Sequence, residues 1–148
     1  MARIVASRDE MDIPASPGAG DEALVEMARQ ASERAYAPYS RFRVGAAVRT
    51  EAGGVHTGCN VENASYGLTC CAERSAIFAA VAAEGPRMRL REVAVHADAH
   101  SVPPCGACRQ VIAEFGPEAR VLFRSGGEVT AMRLDELLPA AFELEPPG

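Results

Sequence analysis

Cys59-Asn60-Val61-Glu62-Asn63-Ala64-Ser65-Tyr66-Gly67-Leu68-Thr69-Cys70-Cys71-Ala72-Glu73-Arg74 is the stretch around which the chain is arranged. It gains its meaning beside a second stretch, Pro104-Cys105-Gly106-Ala107-Cys108-Arg109-Gln110. Three thiols, Cys71, Cys105 and Cys108, can supply three corners of a tetrahedral zinc site, and Glu73 can stand beside the open fourth corner. That is the outline of a catalytic metal centre, since a closed structural one takes four protein ligands. Cys105 and Cys108, three apart, share one face of a helix beginning there, and Cys71 has to come from a neighbouring helix. In the first turns of helices, all three would have their thiolate forms favoured before any metal is bound.

Outward from these thiols, the alanine-rich run Ala72, Ala76, Ala79, Ala80, Ala82 and Ala83 predicts a helix over residues 71–84, stopped by Gly85-Pro86. Pro104 precedes a second helix over 105–115, closed by Gly116-Pro117. Upstream, Asp21 is the expected N-cap of a helix over 21–35, in which Leu24, Val25, Ala28 and Ala31 recur at helical spacing. Residues 42–50 and 55–60 read as a hairpin turned by Glu51-Ala52-Gly53-Gly54, and 92–97 as a short buried strand. A second hairpin, 121–123 with 129–132, turns at Ser125-Gly126-Gly127, and a short terminal helix covers 134–138. This order predicts an α/β fold, a three-layer α/β/α sandwich on a mixed five-stranded sheet.

Of the 148 residues, 48% are hydrophobic, enough for one domain with a real core and too few for two ordinary domains. That domain is expected over 21–148. Residues 1–20 mix charges with Pro14, Pro17, Gly18 and Gly20, show no periodicity, and are expected to form a mobile tail. Fifteen basic against twenty acidic side chains leave a net charge of −5, which lacks the basic footprint of a nucleic-acid binder. No apolar run approaches the roughly 20 residues that span a bilayer, and the first residues lack a secretory core, so a cytoplasmic protein is expected. Five cysteines, an odd number, fit a reducing compartment better than a disulfide framework. Cys59 and Cys70 are expected to pack in the core, because Cys70 breaks the Cys-x-Glu register. His56, His96 and His100 show no ligand spacing.

Cys71-Ala72-Glu73 with Pro104-Cys105-Gly106-Ala107-Cys108 resembles the zinc-deaminase signature in its three-cysteine form. Ala35-Tyr36-Ala37-Pro38-Tyr39-Ser40, Phe42-Arg43-Val44-Gly45-Ala46-Ala47, Asn60-Val61-Glu62-Asn63-Ala64 and Leu137-Leu138-Pro139-Ala140-Ala141-Phe142 extend the likeness. In matching order and spacing, from Asp21 to Phe142, the chain resembles the small homotetrameric cytidine deaminases. The resemblance implies a cytidine deaminase-like fold, one Zn2+ per subunit, and hydrolysis of cytidine and 2′-deoxycytidine to uridine and 2′-deoxyuridine in pyrimidine salvage. Glu73 would shuttle protons from the activated water to ring N3 and to the departing ammonia.

The resemblance also implies that Arg74 donates to the thiolate sulfurs and offsets the net −1 of three thiolates on a dication; the plainer reading is a surface arginine. It gives Asn60 and Glu62 the ribose hydroxyls, Phe42 the pyrimidine face, the Ala72 backbone N–H the base O2, and Phe142 a neighbouring subunit's pocket. Phe142 could instead anchor its own terminal helix, as large apolar residues commonly do. Pro103 departs from the family's common serine, which keeps a carbonyl for the leaving amine and removes a hydroxyl. Two other readings remain. An antibiotic deaminase of the blasticidin S type shares the metal motifs, though Asn60-x-Glu62-Asn63 and Glu73-Arg74 favour the nucleoside enzyme. A non-enzymatic zinc-stabilised module would need a fourth ligand that has no obvious source.

Overall fold

Alternation along three central strands sorts the apolar side chains onto two faces of one sheet. The structure is a computed structural model that describes residues 18–99 and 101–147; residues 1–17 of the expected tail, and His100, lie outside them. Strands β1 (Val44–Thr50), β2 (Val55–Cys59), β3 (Leu90–Ala97), β4 (Arg120–Ser125) and β5 (Glu128–Arg133) form a five-stranded sheet in the order β2-β1-β3-β4-β5. Only β3 and β4 run parallel, and the helix α3 (Gly106–Phe115) makes the crossover between them. The sheet is therefore mixed, as expected.

Register carries the sorting across strands. Ala47 pairs with Ala94, which pairs with Leu122, and these three pack on Leu24, Val25 and Ala28 of α1 (Ala19–Ser32). One residue along, Ala46, Val95 and Phe123 point the other way, into the core shared with Ala76, Ile77 and Ala80 of α2 (Ala72–Glu84) and Ile112 of α3. One helix on one face and two on the other give the three layers. The short helix α4 (Leu134–Leu137) follows β5 directly.

Helix α1 differs from its expected bounds at both ends. Asp21 is not the N-cap; Gly18 is, and Asp21 stands in the first turn, its carboxylate accepting from the Gly18 N–H at 2.7 Å. The same carboxylate takes Nη1 and Nη2 of Arg120 at 3.0 and 2.8 Å, and all but 6% of Asp21 is buried. Burial pushes the Asp21 carboxyl up, but the bonds from Arg120 and Gly18 outweigh it and hold its pKa below the ordinary carboxylate value. The sequence could not disclose a partner so far along the chain. At the other end the helix stops at Ser32, because Tyr36 leaves to bond with Asn60 and Glu62: its N–H donates to Asn60 O at 3.1 Å and its carbonyl accepts from Glu62 N at 2.8 Å.

Gly45 lets α1 lie close on the sheet. A Cβ there would overlap the Ala28 carbonyl and the Ser32 amide, main-chain atoms that cannot rotate away. Gly45→Ala is therefore expected to cost about 2–3 kcal/mol, typical of overpacking, and to lower the melting temperature by several degrees in a thermal scan followed by circular dichroism. An unchanged melting curve would show that α1 is free to back away.

Candidate active site and metal centre

Two helices begin at the same place. Cys71 is the N-cap of α2, Cys105 is the N-cap of α3, and Cys108 lies in the first turn of α3. Their sulfurs all lie within 4.8 Å of one another, with Cys71 and Cys105 4.0 Å apart. Ligands at zinc–thiolate distance around a tetrahedral ion stand about 3.8 Å apart, so shifts of about 1 Å or less would let the donors close on zinc. No other group of three candidate metal ligands this close occurs among the described residues.

The charges of the cluster point to the same ion. Hydrogen bonding from the Cys108 thiol, helped by the Arg74 guanidinium, holds Cys71 down to about 5 against the cost of its burial. The Cys108 thiol is pushed up, first by its bond to Cys71 and then by burial and by Glu73. One thiolate therefore suppresses the next, and a soft divalent cation is what allows all three to ionise together. Arg74 donates from Nη2 to Cys71 Sγ at 3.3 Å, and this contact raises its own pKa further. Its Nε is buried and has no protein partner. The surface-arginine reading of Arg74 does not hold.

Glu73 is the second residue of α2 and only 4% exposed. Burial raises its pKa, and the Cys71 charge adds to the shift, while its own backbone N–H and the Cys108 thiol oppose it. It lines a cavity of about 620 Å³ together with Cys71, Ala72, Cys105 and Pro103. Phe42, Asn60 and Glu62 line the same cavity. Phe42 is 42% exposed, so it is no core residue. The preceding Arg41 has φ 58°, a left-handed turn between two lining residues, Ser40 and Phe42.

Asn60 and Glu62 are fixed by backbone. Asn60 Oδ1 accepts from Val44 N and its Nδ2 donates to Phe42 O, both at 2.8 Å. Glu62 accepts from the Ser40 hydroxyl, from Tyr39 N at 2.9 Å and from Ser40 N at 3.2 Å. These bonds, that of the Ser40 hydroxyl foremost, hold the Glu62 pKa below the ordinary carboxylate range. Ser40 and Tyr39 were not singled out by residue type, although the Tyr39-Ser40 pair ends a quoted motif. Tyr66, Thr69 and Val102 also line the cavity and carried no sequence signal, since tertiary packing alone brings them there.

Several expected positions differ. Phe142 does not line this cavity and does not anchor α4, which ends at Leu137; it is 73% exposed, with its carbonyl accepting from Gln110 Nε2 at 3.1 Å. Cys59 and Cys70 are half-buried rather than core. Cys59 Sγ lies 3.5 Å from Arg34 O, and Cys70 accepts from the Ser75 hydroxyl at 3.6 Å, because both flank the strand-to-helix connection rather than the sheet interior. His56 pairs with Glu84 at 3.0 Å and His96 with Asp98 at 3.3 Å, so both have partners that are not metal ligands.

Residues 19–124 match the model of the cytidine and deoxycytidylate deaminase zinc-binding region. A cytidine deaminase from Halalkalibacterium halodurans is 50% identical over 125 residues, covering 82% of this chain and 93% of that protein. The crystal structure of a cytidine deaminase from Burkholderia pseudomallei superposes with a TM-score of 0.76 at 50% identity, covering 82% of this chain and 98% of that one. A blasticidin-S deaminase from Bacillus cereus is less similar, 31% identical over 82% of this chain and 91% of its own length.

Cys108→Ala is expected to abolish stoichiometric zinc, measured by atomic absorption on protein whose fold is checked by circular dichroism, whereas Cys70→Ala should keep it. Equal zinc in the two variants would dismiss this cluster as the metal site.

Proposed function

The chain belongs to the cytidine and deoxycytidylate deaminase family, and we propose that it hydrolyses the 4-amino group of cytidine and 2′-deoxycytidine, releasing ammonia and the matching uridine. One observation carries this reading: a buried carboxylate, Glu73, shares a cavity with Cys71 and Cys105. Cys71, Cys105 and Cys108 would hold zinc, which when bound would supply Lewis-acid activation of water there. Glu73 takes one proton from the attacking water and delivers it to ring N3. It then carries the water's second proton to the amine as the C4–N bond breaks, which balances the reaction.

The remaining lining residues serve binding. Ala72 offers the first N–H of α2, which has no acceptor within the helix, to the base O2. Phe42 covers a face of the ring, and Asn60 and Glu62 hold ribose hydroxyls. Glu62, kept ionised by its hydrogen bonds, suits an acceptor and not a shuttle. Arg74 spreads the negative charge of the thiolates. Pro103 keeps a carbonyl for the leaving amine.

Among the described residues no lysine or arginine lines the cavity, which favours an uncharged nucleoside over a nucleotide. A net charge of −5 disfavours nucleic acid. The Asn60 and Glu62 pair suits a ribose better than an antibiotic, and a metal that opens on a cavity is not the closed centre of a structural module. No helix among the described residues is long and apolar enough to cross a membrane. A pyrimidine-salvage role in the cytoplasm would keep the free thiols reduced. Glu73→Gln is expected to retain zinc and fold yet lose about three orders of magnitude or more in kcat, read from the ultraviolet change on cytidine. Near-normal turnover with full zinc would sink the proton-shuttle role.

Assembly completes the site in this reading. Phe142, exposed on its own chain and outside its own cavity, is assigned to the cavity of a neighbouring subunit in a homotetramer. Hybrids of Glu73→Gln and Phe142→Ala subunits then contain some cavities with neither lesion, and activity above the average of the parents is the expected result. Activity at that average, with hybrids verified by native mass spectrometry, would return Phe142 to its own subunit.

A further inference from the structure

The loop that carries Cys105 is held at its start, where Ser101 bridges to Ser125 and Val102 packs against the main core. Pro103 and Pro104 have no backbone N–H, so neither can donate to a neighbour. Pro104 is nonetheless fully buried, and a buried carbonyl left without a donor costs about 1–3 kcal/mol. The donor comes from further along the same helix. Arg109, the fourth residue of α3, folds back toward the helix start, and its Nε donates to Pro104 O at 2.8 Å. Nη1 of the same guanidinium donates to Leu137 O, also at 2.8 Å. Leu137 ends α4, where carbonyls lack donor partners within the helix. One planar group thus joins the residue before Cys105 to the end of the last helix.

The consequence concerns the site. Val102, Pro103 and Cys105 form one wall of the cavity and face Cys71, Ala72 and Glu73 on α2. The α2 side is seated in the main core through Ala72, Ala76, Ile77 and Ala80. On the α3 side, the end of the loop next to Cys105 is tied through Arg109. We propose that Arg109 is a positioning residue, which fixes the Pro104 carbonyl and thereby the placement of Cys105 and the Val102–Pro103 wall against Glu73. It touches neither metal nor substrate and acts only through the loop. A lysine cannot fully replace it, because one ammonium on a flexible stem does not present two donors fixed in one plane to two separate carbonyls. The proposal rests on the zinc-site reading above, and its test separates the two.

Full-length Arg109→Lys and Arg109→Met are compared with the unaltered protein by three measurements. Hydrogen exchange of peptides covering residues 101–110 is taken without metal and again with zinc. Zinc release to a chromogenic chelator is timed, and kcat and KM for cytidine are determined. The expected result is faster exchange at 101–110 with peptides of α1 and β5 unchanged, zinc release about 10-fold or more faster, and a fall in kcat larger than any rise in KM. Lysine should fall between arginine and methionine. Unchanged exchange at 101–110 would overturn the proposal, and so would unchanged release and kcat beside a lowered melting temperature, which marks a purely structural contact. Failure of Arg109→Lys to fold would overturn it as well, by making the bond a requirement of the fold. If the unaltered protein bound no zinc, the functional reading would fail, while the metal-free exchange measurement would still judge Arg109.

Discussion

Three sulfurs held within 4.8 Å of one another are the constraint on which the rest of this structure depends. Left to themselves they oppose each other's ionisation, as the opposite shifts of Cys71 and Cys108 express. The fold counters this with two helix N-termini, one guanidinium and the demand for a cation. Everything that brings α2 and α3 to one point serves that convergence. The parallel β3 and β4 set the direction of α3, and the sheet face lined by Val93, Val95, Val121 and Phe123 seats both helices.

Close approach of α2 to the sheet is permitted by Gly58 of β2. A Cβ at that position would lie 2.8 Å from Ser75 C and 2.9 Å from Ala72 O, both main-chain atoms of the first turn of α2. The start of that turn is where Cys71 and Glu73 stand, so strand packing and metal geometry are set by the same contact. The ion pair of Asp21 with Arg120 performs a comparable service on the opposite face, tying the beginning of α1 to β4. Such a pair contributes modest net stability and is costly to break on one side only.

The two carboxylates of the cavity show how one small site separates acid–base work from binding. Glu62 is surrounded by donors and stays ionised; Glu73 sits in a poorly solvated corner beside thiolates. Residue type is identical and the surroundings are opposite, a separation of roles that environments impose on paired titratable groups. The donors to Glu62 come from Tyr39 and Ser40, far back in the chain, whereas Glu73 has Cys71 close by in sequence and meets Cys108 only through the approach of α3.

The sequence by itself determined the strands and helices, their layering and the three thiols with Glu73 between them. Those features follow from short-range rules: alternation at two residues, recurrence at helical spacing, glycine–proline stops and cysteine spacing. Even there, local rules misplaced the ends of α1, because Asp21 answers to Arg120 and Tyr36 to residues 60 and 62. Tertiary structure alone decided which polar groups hold others in place. It gave Asn60 the backbone of Val44 and Phe42, gave Arg74 the sulfur of Cys71, and gave Arg109 two carbonyls far apart in the chain. It also left Phe142 exposed, where the sequence offered both a core anchor and a partner's cavity. The physical reason is common to all of these: periodicity records which face a residue turns to the core, whereas a hydrogen bond needs two groups within about 3 Å, and only the folded chain brings them there.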